Sequence, residues 1–272
     1  MRPDRDPMIG TIDWVERTGG VLTARERRAL LRPVLRAHAT NTAGWLALTL
    51  RVHSGRHAAL DPAVLTPPDS ALAAEANQAA RDLLSPVVLN HSLRSYAWGA
   101  ALAGLDGLAF DPEVLYVAAM FHDTGLPTPV DGVDFTRRSA QLARAFTGNR
   151  GLPTSTGELI AEAIALHPTP GVSLEHGTEA FLLSAGAGLD VFGLRTWQLP
   201  DAIRASVIAD YPRVGFRGEF AGLWRTEARR VPHGRAWFLH RYALSDVTIR
   251  IAPFPSDVRS RSQSAGQGES AG

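Results

Sequence analysis

The chain has 272 residues, 45% of them hydrophobic, and 28 basic against 27 acidic side chains give a net charge of +1. That balance leaves no electrostatic footprint for nucleic acid or a membrane surface. There is no cysteine, and every basic residue is arginine, which excludes disulfides, thiolate chemistry, cysteine-type zinc sites, a Gly-Lys phosphate loop and lysine Schiff bases.

Met1 to Pro7 is charged and lacks an apolar signal core, and the most apolar run, Ala97–Phe110, is interrupted by Asp106 and too short to span a bilayer. A cytoplasmic protein without a membrane span is expected. Residues 1–70 read as a partly helical N-terminal extension, beginning with a loosely ordered lead-in of about 20 residues. Thr23 with Glu26 three residues on forms a capping box for a helix from Ala24. Pro33 inside its apolar pattern predicts a kink or break, and Trp45–Val52 is a short apolar segment of either type. The turn signals Asp61-Pro62 and Pro67-Pro68-Asp69-Ser70 mark a boundary near residue 70.

From there a catalytic domain over residues 71–255 reads as helix after helix, so the fold class is mainly α. Ser70 or Asp69 caps a helix to about Leu84; Ser85-Pro86 opens the next, and Asp111-Pro112 opens an apolar helix that ends at His122-Asp123. Residues 125–133 are loop. Further helices are expected over Asp134–Phe146, from a Ser155 or Thr156 cap to His167, from Ser173 to Leu183, over Pro200–Ala209 and from Pro232 to about Leu244. Val247–Ile251 is the best strand signal. The Ser/Arg/Gly-rich segment 256–272 reads as a disordered tail.

A histidine and an aspartate side by side at the end of a buried helix cost desolvation energy unless a cation sits between them. The chain has nine histidines, so the question is which of them combine. His91 lies in apolar surroundings near the start of its helix. Asp190 lies in Gly188-Leu189-Asp190-Val191-Phe192-Gly193, where it is either a helix or turn cap or a ligand. His91, His122, Asp123 and Asp190 together form a two-nitrogen, two-oxygen set suited to a divalent ion, zinc first and iron or manganese as alternatives.

The order His91, His122-Asp123, Asp190 on successive helices resembles the HD-domain superfamily of metal-dependent hydrolases over roughly residues 70–210. The segments Asn90-His91-Ser92-Leu93-Arg94-Ser95-Tyr96, Phe121-His122-Asp123-Thr124-Gly125, Ala163-Ile164-Ala165-Leu166-His167 and Gly188–Gly193 resemble its cyanamide-hydratase-like branch. The resemblance implies an HD-type helical bundle, a metal-activated water and a small nitrile substrate such as cyanamide, hydrated to urea. Leu126 follows the glycine where many HD phosphohydrolases carry a lysine or arginine, which turns the reading away from phosphate. Asp134-Phe135-Thr136 also departs from the branch, in which an acidic residue often follows the phenylalanine.

Asp123 is expected to ligate through one oxygen and take a water proton with the other. His167 reads as a general acid/base or ligand beside it, or as a histidine on its helix dipole; His176 is the candidate for a second metal. Arg94, one turn from His91, either holds a substrate anion or pairs with a ligand carboxylate. Tyr96 and Trp98 read as core, and the other arginine clusters as solvated faces. The alternative activity, phosphoester hydrolysis, would draw on Arg94 and Arg137 or Arg138 as cations. The partner expected is a small molecule, with neither nucleic acid nor membrane, and a homo-oligomer is allowed.

Overall fold

The computed structural model describes residues 8–254; the terminal segments, including the tail expected from residue 256, lie outside them. The described residues form twelve α-helices, four single-turn 3-10 segments and no strand. The chain is mainly α, as its sequence pattern implies.

The lead-in expected to be loose contains α1 (Ile12–Thr18). Trp14 and Val15 are fully buried there, and Trp14 donates from Nε1 to Glu26 Oε1 at 2.7 Å. Burying an indole of this size against the core holds a seven-residue helix that could not persist alone. The Thr23–Glu26 capping box opens α2 (Ala24–Thr49), which runs through both Pro33 and the segment from Trp45. Pro33 removes one hydrogen bond to Ala29, but 26 residues of continuous helix outlast that loss.

Ser70 caps α3 (Ala71–Leu83), Ser85 caps α4 (Pro86–Asp106), and Asp111 caps α5 (Pro112–Phe121), each by accepting from a first-turn N–H. Asp134 does the same for α6 (Phe135–Gly148). α7 (Thr154–Leu166) starts earlier than Ser155 or Thr156 would place it, after Pro153 and with no side-chain cap. Ser173 opens only a 3-10 turn, Leu174–His176. The helix proper is α8 (Thr178–Phe192), which extends well past Leu183 and carries Asp190 in its last turn. α9 (Asp201–Asp210) follows, then α10 (Phe216–Arg230), which no sequence signal had marked, and α11 (Arg235–Tyr242). The strand signal at Val247–Ile251 lies inside α12 (Ser245–Ile251): β-branched residues there follow tertiary packing rather than local propensity.

α4 and α5 are buried on nearly every face, so they form the centre rather than a wall. α8 packs closely along α4. A Cβ on Gly186 would lie 2.1 Å from the Ser95 carbonyl oxygen, so the approach exists only because residue 186 is glycine. It brings Asp190 on α8 level with His91, Arg94 and Trp98 on α4. α2 crosses the end of α8, where Asn41 Nδ2 donates to Phe192 O at 3.1 Å and Trp45 Nε1 to Gly193 O at 3.2 Å. No helix among the described residues is long and apolar enough to cross a membrane.

Candidate metal centre

The centre is assembled where two helices end beside a third, α4, which carries His91. His122 caps the C-terminus of α5 and His167 that of α7. The last carbonyls of a helix have no intrahelical donor, and each ring uses one. His122 Nδ1 donates to Ala119 O at 2.7 Å, and His167 Nδ1 donates to Ile164 O at 2.7 Å. A carbonyl can only accept, so both protons sit on Nδ1, and in the neutral ring Nε2 is left as a bare lone pair. His91 is oriented by a carboxylate instead: its Nδ1 lies 2.7 Å from Asp190 Oδ2.

These three Nε2 atoms converge on Asp123. Its Oδ2 lies 3.3 Å from His91 Nε2 and 3.2 Å from His122 Nε2, and its Oδ1 lies 3.6 Å from His167 Nε2. His91 Nε2 and His122 Nε2 face each other at 3.2 Å. None of the contacts to Asp123 has hydrogen-bond geometry, so both oxygens of this buried carboxylate are without a partner. Two lone pairs and an ionised carboxylate pressed together at these distances repel unless positive charge lies among them. His91, His122 and Asp123 are a group that could hold a divalent metal ion, and the orphaned carboxylate oxygens fit that ion. Gly125, two residues on, fixes the turn: a Cβ there would lie 2.1 Å from Phe135 O.

The titration behaviour points the same way. Burial lowers the pKa of His91, but the carboxylates of Asp123 and Asp190 more than offset it and raise the value. Burial raises that of Asp123, yet the neighbouring imidazoles, His122 first, hold it well below the ordinary carboxylate range. His167 is pushed down to about 4, by burial above all, so its ring is neutral at pH 7.

Asp190 stands apart from this group. Its oxygens take a two-pronged hold from Arg94 (Nε to Oδ1 2.8 Å, Nη2 to Oδ2 2.9 Å), with Arg213 Nη1 at 2.6 Å and Trp98 Nε1 at 3.0 Å. Burial alone would raise its pKa; the guanidinium groups of Arg213 and Arg94 drive it well below the usual range. Asp190 therefore sits behind His91 as a fully bonded anion and fixes its tautomer. Arg94 is fully buried, spends its remaining donor on Tyr211 O and Pro212 O, and does not line the cavity described below. Of its two expected roles, carboxylate pairing is the one this geometry displays. His176 turns back to cap its own turn, where Nδ1 accepts from Ser173 N at 3.1 Å, and it does not join the centre.

Sequence reasoning missed Arg213, which lies in the loop before α10 with no pattern around it, and it assigned Trp98 to core without its bond to Asp190. It also missed the aromatic wall of α10. Phe216 and Phe220 lie 5.2 and 4.9 Å from the His91 ring, and Trp224 stacks on Phe220. Against that wall a cavity of about 240 Å³ opens from His91, Asp123 and His167 toward α2, where Pro33, Val34, Ala37, His38 and Asn41 line it. Neither Arg137 nor Arg138 reaches it, and no residue that lines it is a lysine or arginine.

Residues 88–209 match the family model of the HD domain. That segment carries His91, the His122-Asp123 pair and Asp190, arranged as just described. Over these residues the chain matches an HD domain. Two relatives from Saccharomyces cerevisiae, cyanamide hydratase DDI2 and cyanamide hydratase DDI3, are each 28% identical to it over 181 residues, 63% of this chain and 79% of theirs. The chain thus resembles the cyanamide-hydratase-like branch over most of its described length, and a metal-dependent hydrolytic enzyme is the activity class this supports.

Proposed function

We propose that this HD-domain protein adds water to the carbon of a nitrile, the reaction that would turn cyanamide into urea. The observation that carries the reading is the absence of any lysine or arginine from the cavity lining. A transferring phosphoryl group needs several cations around its oxygens, whereas a nitrile is uncharged and asks for a mostly apolar pocket with a few polar groups. The names of the two yeast relatives agree with this choice.

In this proposal His91, His122 and Asp123 hold the divalent ion, zinc first among the metals this donor set suits. When bound, the ion supplies Lewis acidity toward water and nitrile. Asp123 accepts the proton of the attacking water on Oδ1, the oxygen that faces His167. The bare Nε2 of neutral His167, 3.6 Å from that oxygen, takes this proton from Asp123 and relays it to the nitrile nitrogen. Asp190 and Arg94 keep the His91 lone pair directed at the centre, and Phe216, Phe220 and Trp224 keep bulk water off it. The substrate is a small molecule, and residues 71–255 supply the catalytic groups.

The test is amide or urea release from cyanamide and simple nitriles, run beside phosphate release from nucleotides and a chromogenic phosphodiester. Asp123→Asn should cut nitrile hydration by roughly 100-fold or more with helix content unchanged. Phosphate release that is lost in His122→Ala, with no nitrile hydrated, would reverse the assignment.

A further inference from the structure

The cavity is too large for cyanamide, which has only three heavy atoms. Its 240 Å³ exceeds the about 150 Å³ of an engineered apolar cavity that holds benzene. The space beyond the centre is bounded by Val34 and Ala37 on α2, Phe181, Val191 and Phe192 on α8, and Leu239 on α11. Hydration needs nothing there.

We propose that the substrate is a larger nitrile: an aryl or branched alkyl body filling the arm toward α2. This rests on the nitrile-hydrating reading above. The reaction is balanced as a simple addition. The water oxygen bonds to the nitrile carbon, one π pair passes to nitrogen, which gains a proton, and the imidic acid rearranges to the primary amide. No oxidant, reductant or second substrate enters. On this view α2 is the specificity element, which gives the segment before residue 70 a role in the chemistry of the domain that follows it.

The experiment compares cyanamide with benzonitrile and its ethyl-substituted forms. The wild-type protein should favour the best aryl nitrile over cyanamide by about 10-fold or more in kcat/KM. Ala37→Phe, which fills the arm, should lower the ratio of aryl nitrile to cyanamide turnover by about 10-fold. A readout independent of turnover is the melting temperature of metal-free protein, which benzonitrile should raise saturably in wild type and not in Ala37→Phe. If cyanamide outpaces every aryl nitrile, or benzonitrile leaves the metal-free melt unmoved, this inference falls and nitrile hydration stands. If no nitrile of any size is hydrated, the nitrile reading and this inference fall together.

Discussion

Asp190→Asn separates two readings of this centre, because the sequence order alone makes Asp190 a metal ligand, whereas the structure makes it the anion that holds His91. The substitution keeps the side-chain volume and removes the charge. Arg94 and Arg213 would then lie buried around a neutral amide, with 0% and 4% of their surfaces exposed. Breaking a buried pair by removing one partner costs about 3–5 kcal/mol, because the remaining charge is left uncompensated. At about 2–4 °C per kcal/mol for a protein of this size, the melting temperature should fall by roughly 6–20 °C. The loss belongs to the fold rather than to the metal, so it should appear in full in metal-stripped protein. The amide adds a second effect. Its oxygen stays with Arg213 and Trp98, so its NH₂ group meets His91 Nδ1, and the ring keeps its proton on Nε2, where a ligand needs a lone pair. Metal affinity should fall about 10–100-fold. The assay is calorimetry or circular dichroism on chelated protein, followed by metal titration. If chelated wild type and Asp190→Asn melt together, with the whole difference appearing only on metal addition, the clamp is wrong and Asp190 is a direct ligand.

Acid should unfold the protein through the same residue. Asp190 titrates well below 3.8 when folded, so the native state binds fewer protons than the unfolded one as pH drops through that value. The stabilisation is complete above about pH 4 and is lost progressively below it. Glu227 acts in the opposite sense: burial, then Asp134, raises its pKa from 4.5, which favours the native state as it becomes protonated. The denaturation midpoint should therefore hold near pH 5 and fall steeply below 3.8, and Asp190→Asn should flatten that fall; parallel curves for the two proteins would count against the argument. Gly186→Ala places a Cβ 2.1 Å from Ser95 O and should cost about 1–3 kcal/mol by overpacking while it weakens metal binding. Gly218→Ala on α10 meets nothing within 4 Å and should stabilise by about 0.5–1 kcal/mol; equal melting shifts for the two glycines would refute the close-approach account of α4 and α8. Arg235 is fully buried and donates to Asp134, Thr136, Thr169 and the Ala165 carbonyl, gripping the chain on both sides of His167. Arg235→Met should destabilise by about 3–5 kcal/mol, and Asp134→Asn added to it should recover part of that loss; strictly additive costs would mean the two are not a buried pair.

What could be read from the sequence follows the range of each interaction. Thr23-Glu26, Ser85-Pro86 and Asp111-Pro112 close hydrogen bonds within three residues, so their helix starts stand in the structure where the pattern puts them. His122-Asp123 was legible for a related reason: the cost of burying such a pair is a local fact that demands a remedy somewhere. The remedy itself is not local. Arg213 reaches Asp190 across 23 residues and Arg94 across 96, and nothing near Tyr211-Pro212-Arg213 says that this guanidinium is buried. α10 was invisible because the apolar residues that face His91 are interleaved with arginines on its outer side, which dilutes the stripe that periodicity detects. Val247–Ile251 misled in the opposite way, since its β-branched run is helical once α12 packs on α10 and α11. The same limit explains how Asp190 could look like a ligand. Charge type and spacing show that a carboxylate belongs near His91, but whether it faces the metal or the arginines depends on which groups the fold has already placed behind it. Here two guanidinium groups and an indole occupy every direction but one, and the one left leads to Nδ1 of His91, on the far side of the ring from the centre.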